Sequence, residues 1–416
     1  MCSKFKTLFR YSGEWNVLQM IEKMTKRVDG SFYLCNMSDV IRKFRDWNEK
    51  LPRVKPFYAV KCNDDDEVLQ TLAASGCSFD CASAKEIEKI LSFDVDPSRI
   101  IFANTTKLKS HIQLAKEKNV NLMTFDNEDE VHKIFKLHPS ADLILRIRCN
   151  SDKALYKLGK KFGCDPETEA VTLLKLAKNL GFNVVGISFH IGSSCEDFEG
   201  YAKAIKVSRQ LFDVSESIGF KFRLLDLGGG YPGENFQRID EFSVVINGAL
   251  DESFPIKKFP NLQVISEPGR YFVESAFTLV AHVHSRKLTK DAHGKIQEVM
   301  LYLNEGVYTN LLFILLGPET LNPQIMPEKN SNTKFKTTIW GPTCDSTDIL
   351  CRDIDFELLE IEDIVYFKNM GAYTITINTP FNGFGLTKIV HFIQQDDFDQ
   401  IDLAQLKLAD FPDAPF

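Results

Sequence analysis

The chain has 416 residues, of which 44% are hydrophobic and 26% charged, and a net charge of −7. That length suits two domains, or one barrel with a smaller partner, and the composition is that of a globular protein. The acidic balance argues against nucleic acid and anionic membrane as partners, and no segment approaches the length of a membrane span.

Met1 to Tyr11 carries basic residues without a continuous apolar stretch, so it does not read as a signal peptide. Ten cysteines are scattered with no Cys-x-x-Cys pair, which in a chain this long suggests reduced thiols and a cytoplasmic setting. Val17 to Met24 is amphipathic, Ser31 to Cys35 reads as a strand, and a polar helix pattern runs from Met37 to Leu51.

A rhythm of short apolar strands and charged amphipathic helices follows. The strand candidates are Phe57–Val60, Ser78–Asp80, Ile100–Ala103, Leu122–Phe125, Asp142–Arg148, Val184–His190, Arg223–Leu227 and Gln263–Ser266. Helical stretches lie between them, among them Ala84–Leu91, Lys109–Lys118, Glu128–Leu137, Glu167–Leu180 and Tyr201–Ile218. Alternation of this kind predicts a parallel sheet, and eight strands within residues 57–266 predict a closed (β/α)8 barrel.

After Arg270 the rhythm changes. Runs such as Tyr271–Val273, Leu279–His284 and Val299–Leu303, then Thr337–Trp340, Ile364–Phe367, Tyr373–Ile377 and Lys388–Phe392, predict an antiparallel β-domain. Gly317–Lys334, with three prolines, reads as a loop, and the acidic tail from Gln394 as poorly ordered. The expected division is an N-terminal segment, residues 1–36, joining the β-domain; a barrel over 37–276; and a β-domain with its tail over 277–416.

A barrel of this type carries its chemistry at the C-terminal ends of its strands. Those ends offer Lys61, Asp80, Asn104, Asp126, Arg146 with Arg148, His190, Gly228-Gly229-Gly230 and Glu267. Lys61 either snorkels to solvent or sits where a lowered pKa makes it a nucleophile. The glycine loop is a phosphate candidate, because backbone without Cβ atoms can approach an anion closely; it could also be a tight turn. Arg270 could neutralise the same phosphate while Glu267 faces a pyridine nitrogen, or the two could form a surface pair. His190 could pack on an aromatic ligand, with Ser193 reaching a phosphate, or could be structural. Glu86 sits in a capping-box pattern with Ser83. His282 and His284 lack matching acids or cysteines, so no metal site is expected. Cys344, between a turn and a helix start beside Asp345, could be a proton donor or a small buried apolar residue.

The strings PFYAVKCN, FDCAS, SFHIGSSC, LDLGGGYPG, SEPGRYFV, WGPTCDSTD, NMGAYT and FNGF resemble, in order, the motifs of the eukaryotic ornithine decarboxylases. These are fold-type III, pyridoxal-phosphate-dependent enzymes of the alanine-racemase-like architecture. The resemblance spans roughly residues 15 to 392. It implies pyridoxal 5'-phosphate as cofactor and decarboxylation of ornithine to putrescine in polyamine biosynthesis. It implies Lys61 as the Schiff-base lysine, His190 stacked on the ring and Glu267 at the ring nitrogen. Ser193, Gly228, Gly229, Gly230, Arg270 and Tyr373 would hold the phosphate, with Asp80, Glu86 and Arg146 around Lys61. Cys344 would return a proton and Asp345 would receive the distal amine, with Tyr308 and Phe381 on the substrate side. It also implies a homodimer with shared sites, Gly371 lying in the interface segment. Antizyme is a partner of animal homologues, through a region aligned with Lys109–Phe135; the charges there suit a solvated helix face equally well.

The chain departs from the pattern in places. The family's Asp-Gly-Val-Tyr reads Glu305-Gly306-Val307-Tyr308, and its later Tyr-Asp reads Leu316-Gly317. Thr105-Thr106 replaces Pro-Cys, and Ser194 replaces a glycine. Loss of the Tyr-Asp acid leaves Asp345 as the obvious carboxylate for a substrate ammonium and makes the pocket more apolar. Three functions stay open at this stage: ornithine decarboxylase, a decarboxylase of a different, less basic amino acid, and a non-enzymatic regulator resembling antizyme inhibitor.

Overall fold

The computed structural model describes residues 8–149, 151, 153–195, 197–234, 238–327 and 333–400. The chain forms two compact units. One is Ile41–Phe272; the other joins the described residues of Met1–Val40 to those of Val273–Phe416. Among the described residues no helix is long and apolar enough to cross a membrane.

The first unit is a closed ring of eight parallel strands. They are β1 (Val54–Ala59), β2 (Ser78–Cys81), β3 (Ile100–Phe102), β4 (Leu122–Phe125), β5 (Asp142–Arg148), β6 (Asn183–His190), β7 (Leu224–Asp226) and β8 (Gln263–Ser266). Closure comes from β8 pairing with β1, where Ser266 lies opposite Pro56. Phe57, Ile101, Ile144, Val185, Leu224 and Ile265 form one buried cluster. Residues from opposite sides of a ring meet only through its middle, so this cluster fills the barrel.

Local chemistry sets the helices between strands. Ser83 caps Ala84–Leu91 by accepting from Glu86 N at 3.3 Å. Ile87 and Ile90, three apart, turn the same face inward and are fully buried. Phe198–Ile218 ends at Gly219, whose φ of +91° is the left-handed conformation that closes a helix without Cβ strain. Trp47, fully buried, donates from Nε1 to Val54 O at 2.8 Å and packs edge-on against Tyr231.

The second unit holds a nine-stranded sheet. It is mixed, not wholly antiparallel as expected. Leu8–Tyr11 runs parallel to Lys388–Gln394, which runs parallel to Phe32–Asn36; Ile296–Leu303 runs parallel to Lys334–Trp340. Antiparallel neighbours suit short hairpins, whereas parallel ones need long connections. Leu8–Tyr11 and Phe32–Asn36 come from the opposite end of the chain to Lys388–Gln394, and a long connection separates Ile296–Leu303 from Lys334–Trp340, so no hairpin dictates direction. The helix Val17–Thr25 packs Met20, Ile21 and Met24 onto this sheet, in one core with Phe32, Leu34, Val390 and Phe392.

Several local expectations are corrected. Tyr271–Val273 belongs to a helical turn, Arg270–Val273, and Tyr271 and Phe272 owe their aromatic character to packing around Trp47. Tyr373–Ile377 is not a strand: Tyr373 takes a φ of +54° and a 3-10 turn covers Ile375–Ile377. Ile349–Glu357 is a strand that the charges of Arg352, Asp353 and Asp355 conceal, and Gln324–Met326 makes a short strand inside the expected loop. Beyond Gln394 the chain forms a helical turn, Gln395–Gln400; the rest of the expected tail lies outside the described residues.

Candidate active site

Lys61 stands just past β1. The strand stops at Ala59, and a 3-10 turn, Val60–Cys62, carries the lysine. Below it Tyr58 donates to Asn63 O at 2.8 Å, and Asp65 N donates to Asn63 Oδ1 at 3.0 Å, which ties the exit of the turn down. The Lys61 ammonium is paired with Asp80 on the adjacent strand β2. Asp80 is fully buried, while the lysine side chain is 41% exposed. Asp80 Oδ1 has no hydrogen-bond partner, an orphaned acceptor beside the lysine. Glu86 Oε2 accepts from Ala82 N at 2.6 Å, a variant of the expected capping box, and burial pushes its carboxyl up.

His190 ends β6. Its Nδ1 accepts from Gly192 N at 3.1 Å, so the ring proton lies on Nε2. Burial, then the charges of Arg146 and Lys61, hold its pKa well below the usual imidazole value. The ring is therefore neutral near pH 7. Arg146 on β5 lies over the Phe162 ring at 5.2 Å.

The glycine loop follows β7. A Cβ on Gly228 would lie 2.2 Å from Phe189 O, on Gly229 2.4 Å from Glu267 O, and on Gly230 2.3 Å from Gly192 O. Each contact is closer than any side chain tolerates, so glycine is required at all three. The loop is fixed by Gly228 N donating to Asp226 Oδ1 at 2.9 Å and by Tyr201 donating to Gly229 O at 2.8 Å. Nearby, Ser193 opens a short strand, Ser193–Cys195, paired with Ala154–Tyr156. Arg270, 7% exposed, donates from Nε to Ser193 Oγ at 3.2 Å and lies over the Tyr156 ring. A hydroxyl, a guanidinium and a glycine backbone thus converge.

Glu267 follows β8 and is 7% exposed. Burial and the charges of Asp226 and Asp80 hold its pKa well above the usual carboxylate range. Asp226 is pushed up to about 7 by burial, and its Oδ2 has no hydrogen-bond partner. The one sequence signal that marks Asp226 as a site residue is its place at the last position of β7, just ahead of the glycine loop. Ser194 takes a φ of +46°, the left-handed region that favours glycine, which gives a backbone reason for the residue it replaces.

In the second unit another group assembles. Tyr308 donates to the Asp345 carboxylate, contacts Thr347 Oγ1 at 3.2 Å and packs against Phe381 with ring centroids 4.6 Å apart. That hydrogen bond lowers the Asp345 pKa. Cys344 is exposed, and its N–H donates to Asn382 Oδ1 at 3.0 Å. Asn382 was unmarked in the sequence; a φ of +55° lets it reach back. Leu316 follows in a one-turn helix, Phe313–Leu316, with Leu315 and Leu316 exposed and Gly317 extended. Tyr373 stands in left-handed backbone, with a φ of +54°.

The profile of the pyridoxal-binding domain of the pyridoxal-dependent decarboxylases matches residues 37–274. The chain belongs to that family. It is 41% identical to ornithine decarboxylase 2 of Drosophila melanogaster over 384 residues, 92% of this chain and 97% of that one. It is 38% identical to antizyme inhibitor 2 of Xenopus laevis over 398 residues, covering 93% and 86%. Its fold matches the crystal structure of the arginine decarboxylase of Paramecium bursaria Chlorella virus with a TM-score of 0.84 and 36% identity, over 91% of this chain and 99% of that one.

The barrel residues fit pyridoxal phosphate. The lysine supplies an amine, the orphaned oxygens of Asp80 and Asp226 mark unmet polar contacts, and the glycine loop has no room for side chains. Arg270 and Ser193 supply charge and hydroxyl for a phosphate.

Proposed function

We propose that this chain decarboxylates L-ornithine to putrescine and CO2, a step of polyamine biosynthesis. The observation that carries the reading is the filled set at the barrel mouth: Lys61 against Asp80, neutral His190, buried Glu267, and Arg270 beside Ser193 and the glycine loop. A regulator that has given up catalysis has no need of these costly buried charges.

Bound pyridoxal phosphate supplies an electron sink that takes up the pair left when CO2 departs. The chain's own residues do the rest. Lys61 anchors the cofactor, and Asp80 holds the ammonium and takes part in its proton exchange. His190, neutral, would pack against the cofactor ring without adding positive charge. Glu267, with its raised pKa, would hold a proton toward the ring nitrogen. Arg270, Ser193, Gly228 to Gly230 and Tyr373 would hold the phosphate. Arg146 and Glu86 hold the field around Lys61. Cys344 Sγ delivers the proton that replaces CO2, and Asp345, oriented by Tyr308, binds the distal ammonium beside Phe381.

Cys344 and Phe381 are exposed on the second unit. We propose that they serve the site of a second copy, so that the working form is a homodimer with shared sites. The described cysteines are free, which supports a cytoplasmic setting. A different amino acid substrate is the second reading, favoured by Leu316 and Gly317 where the resemblance has Tyr-Asp. CO2 release from ornithine, lysine, arginine and leucine, with cofactor supplied, tests all of this. Ornithine as best substrate supports the proposal, another best substrate favours the second reading, and no turnover of any overturns both.

A further inference from the structure

One buried charge has no part in the chemistry above. Glu305 begins the segment that carries Tyr308 and is 1% exposed. Its carboxylate is satisfied by four neutral donors. Ser31 Oγ at 2.6 Å and Thr387 Oγ1 at 2.5 Å reach Oε1; Thr309 Oγ1 at 2.5 Å and Asn310 Nδ2 at 3.0 Å reach Oε2. A carboxylate withdrawn from water is tolerated only when its acceptor sites are met, so these four donors are bound to its position.

The donors come from distant parts of the chain. Ser31 and Thr387 immediately precede the strands Phe32–Asn36 and Lys388–Gln394, which run side by side with Phe32 opposite Lys388. Glu305 therefore ties the Tyr308 segment to the end of the sheet. The tie continues along the segment. Asn378 Nδ2 donates to Asn310 Oδ1 at 3.4 Å, and Thr379 donates to Tyr308 O from both N at 3.0 Å and Oγ1 at 2.7 Å. From the other side Asp348 Oδ1 accepts from Val307 N at 2.8 Å. What this held backbone presents is the Tyr308 phenol, donating to Asp345.

We infer that Glu305 is a positioning residue for substrate recognition, fixing the Tyr308 segment and, through Tyr308, the direction of the Asp345 carboxylate. This rests on the proposed function, in which Asp345 binds a distal ammonium. With Gly317 where the resemblance has an aspartate, recognition of that ammonium depends on the one carboxylate that Tyr308 orients.

The test uses the full chain with cofactor bound and compares Glu305→Gln, Thr309→Val, Asp345→Asn and the Glu305→Gln/Asp345→Asn double variant. Steady-state kinetics on ornithine, or on whichever diamino acid the wild type prefers, are read beside the visible absorbance of bound cofactor. Glu305→Gln is expected to raise KM about tenfold, the scale of one charged hydrogen bond, with kcat and the absorbance band retained. Thr309→Val, losing one of four donors, moves KM the same way by a smaller factor and decides the matter if Glu305→Gln does not fold. The double variant is expected to be no worse than Asp345→Asn alone, because the two act through one interaction. Additive losses, or an unchanged KM, overturn the inference while the functional reading stands. A wild type that turns over no diamino acid overturns the reading beneath it as well.

Discussion

Lys61 and Asp80 leave neighbouring strands of the barrel and meet at its mouth, a partly exposed ammonium against a fully buried carboxylate. The asymmetry matters. The lysine can swing toward a ligand, while the aspartate keeps its place and its charge demand. Lys61→Ala is expected to abolish both turnover and the visible band of bound cofactor. Asp80→Asn should lower kcat by about a hundredfold, within the range for a group that manages a proton in the reaction. Absorbance titration with pyridoxal phosphate and steady-state kinetics check both; an unchanged band in Lys61→Ala would sink the assignment.

Gly229 has no space for a methyl group, since its Cβ would lie 2.4 Å from Glu267 O and 3.2 Å from His190 Nε2. Gly229→Ala should therefore disturb the cofactor residues on both sides. Overpacking of this kind costs about 1–3 kcal/mol, so cofactor affinity should fall by roughly tenfold or more. Equilibrium dialysis of the cofactor reads the effect directly.

Ser194 stands in left-handed backbone without being glycine. Ser194→Gly should relieve part of a strain of about 1–2 kcal/mol, the remainder being offset by the freer unfolded chain. A higher melting temperature of the cofactor-free protein is expected, and a lower one would show that the serine hydroxyl matters more than its backbone.

Asp226 and Glu267 are neighbouring carboxyls whose pKa values burial raises; the Asp226 charge raises Glu267 further, while a hydrogen bond with Glu267 lowers Asp226 part of the way back. The folded protein keeps a proton on Asp226 up to about pH 7, whereas the unfolded chain gives it up near pH 4. Folded Asp226 thus binds more protons across that window, and its contribution to stability is lost as pH rises from about 4 toward 7. Asp226→Asn removes the titration and one repelling charge. Melting curves of the cofactor-free protein between these pH values should be flatter for the variant than for the wild type; equal slopes would contradict the shared burial.

The double change Leu316→Tyr with Gly317→Asp restores the acid of the resembled family. If the distal ammonium is bound on this side, kcat/KM for ornithine should rise by about tenfold, equivalent to one modest charge pair. A fall, with a gain for another substrate in the wild type, would mean that the segment is built for that other substrate.

The sequence by itself determined the alternation of strands and helices, the barrel, the strand-end residues and the glycine loop. These are local signals: apolar periodicity, capping residues such as Ser83, and glycine where backbone comes close. It also carried the family motifs, and with them Lys61, His190 and Glu267. What it left undetermined depends on contacts between residues far apart in the chain. The direction of the second sheet's strands was one such case, because Phe32–Asn36 and Lys388–Gln394 have no turn between them to set it. The extended reading of Tyr373–Ile377 was another, undone by a single left-handed residue. Asp226 gained its meaning only when burial set it beside Glu267, and Glu305 only when Ser31, 274 residues away, closed on its carboxylate. Periodicity tells which face of an element is buried; only tertiary structure decides which charges are buried together.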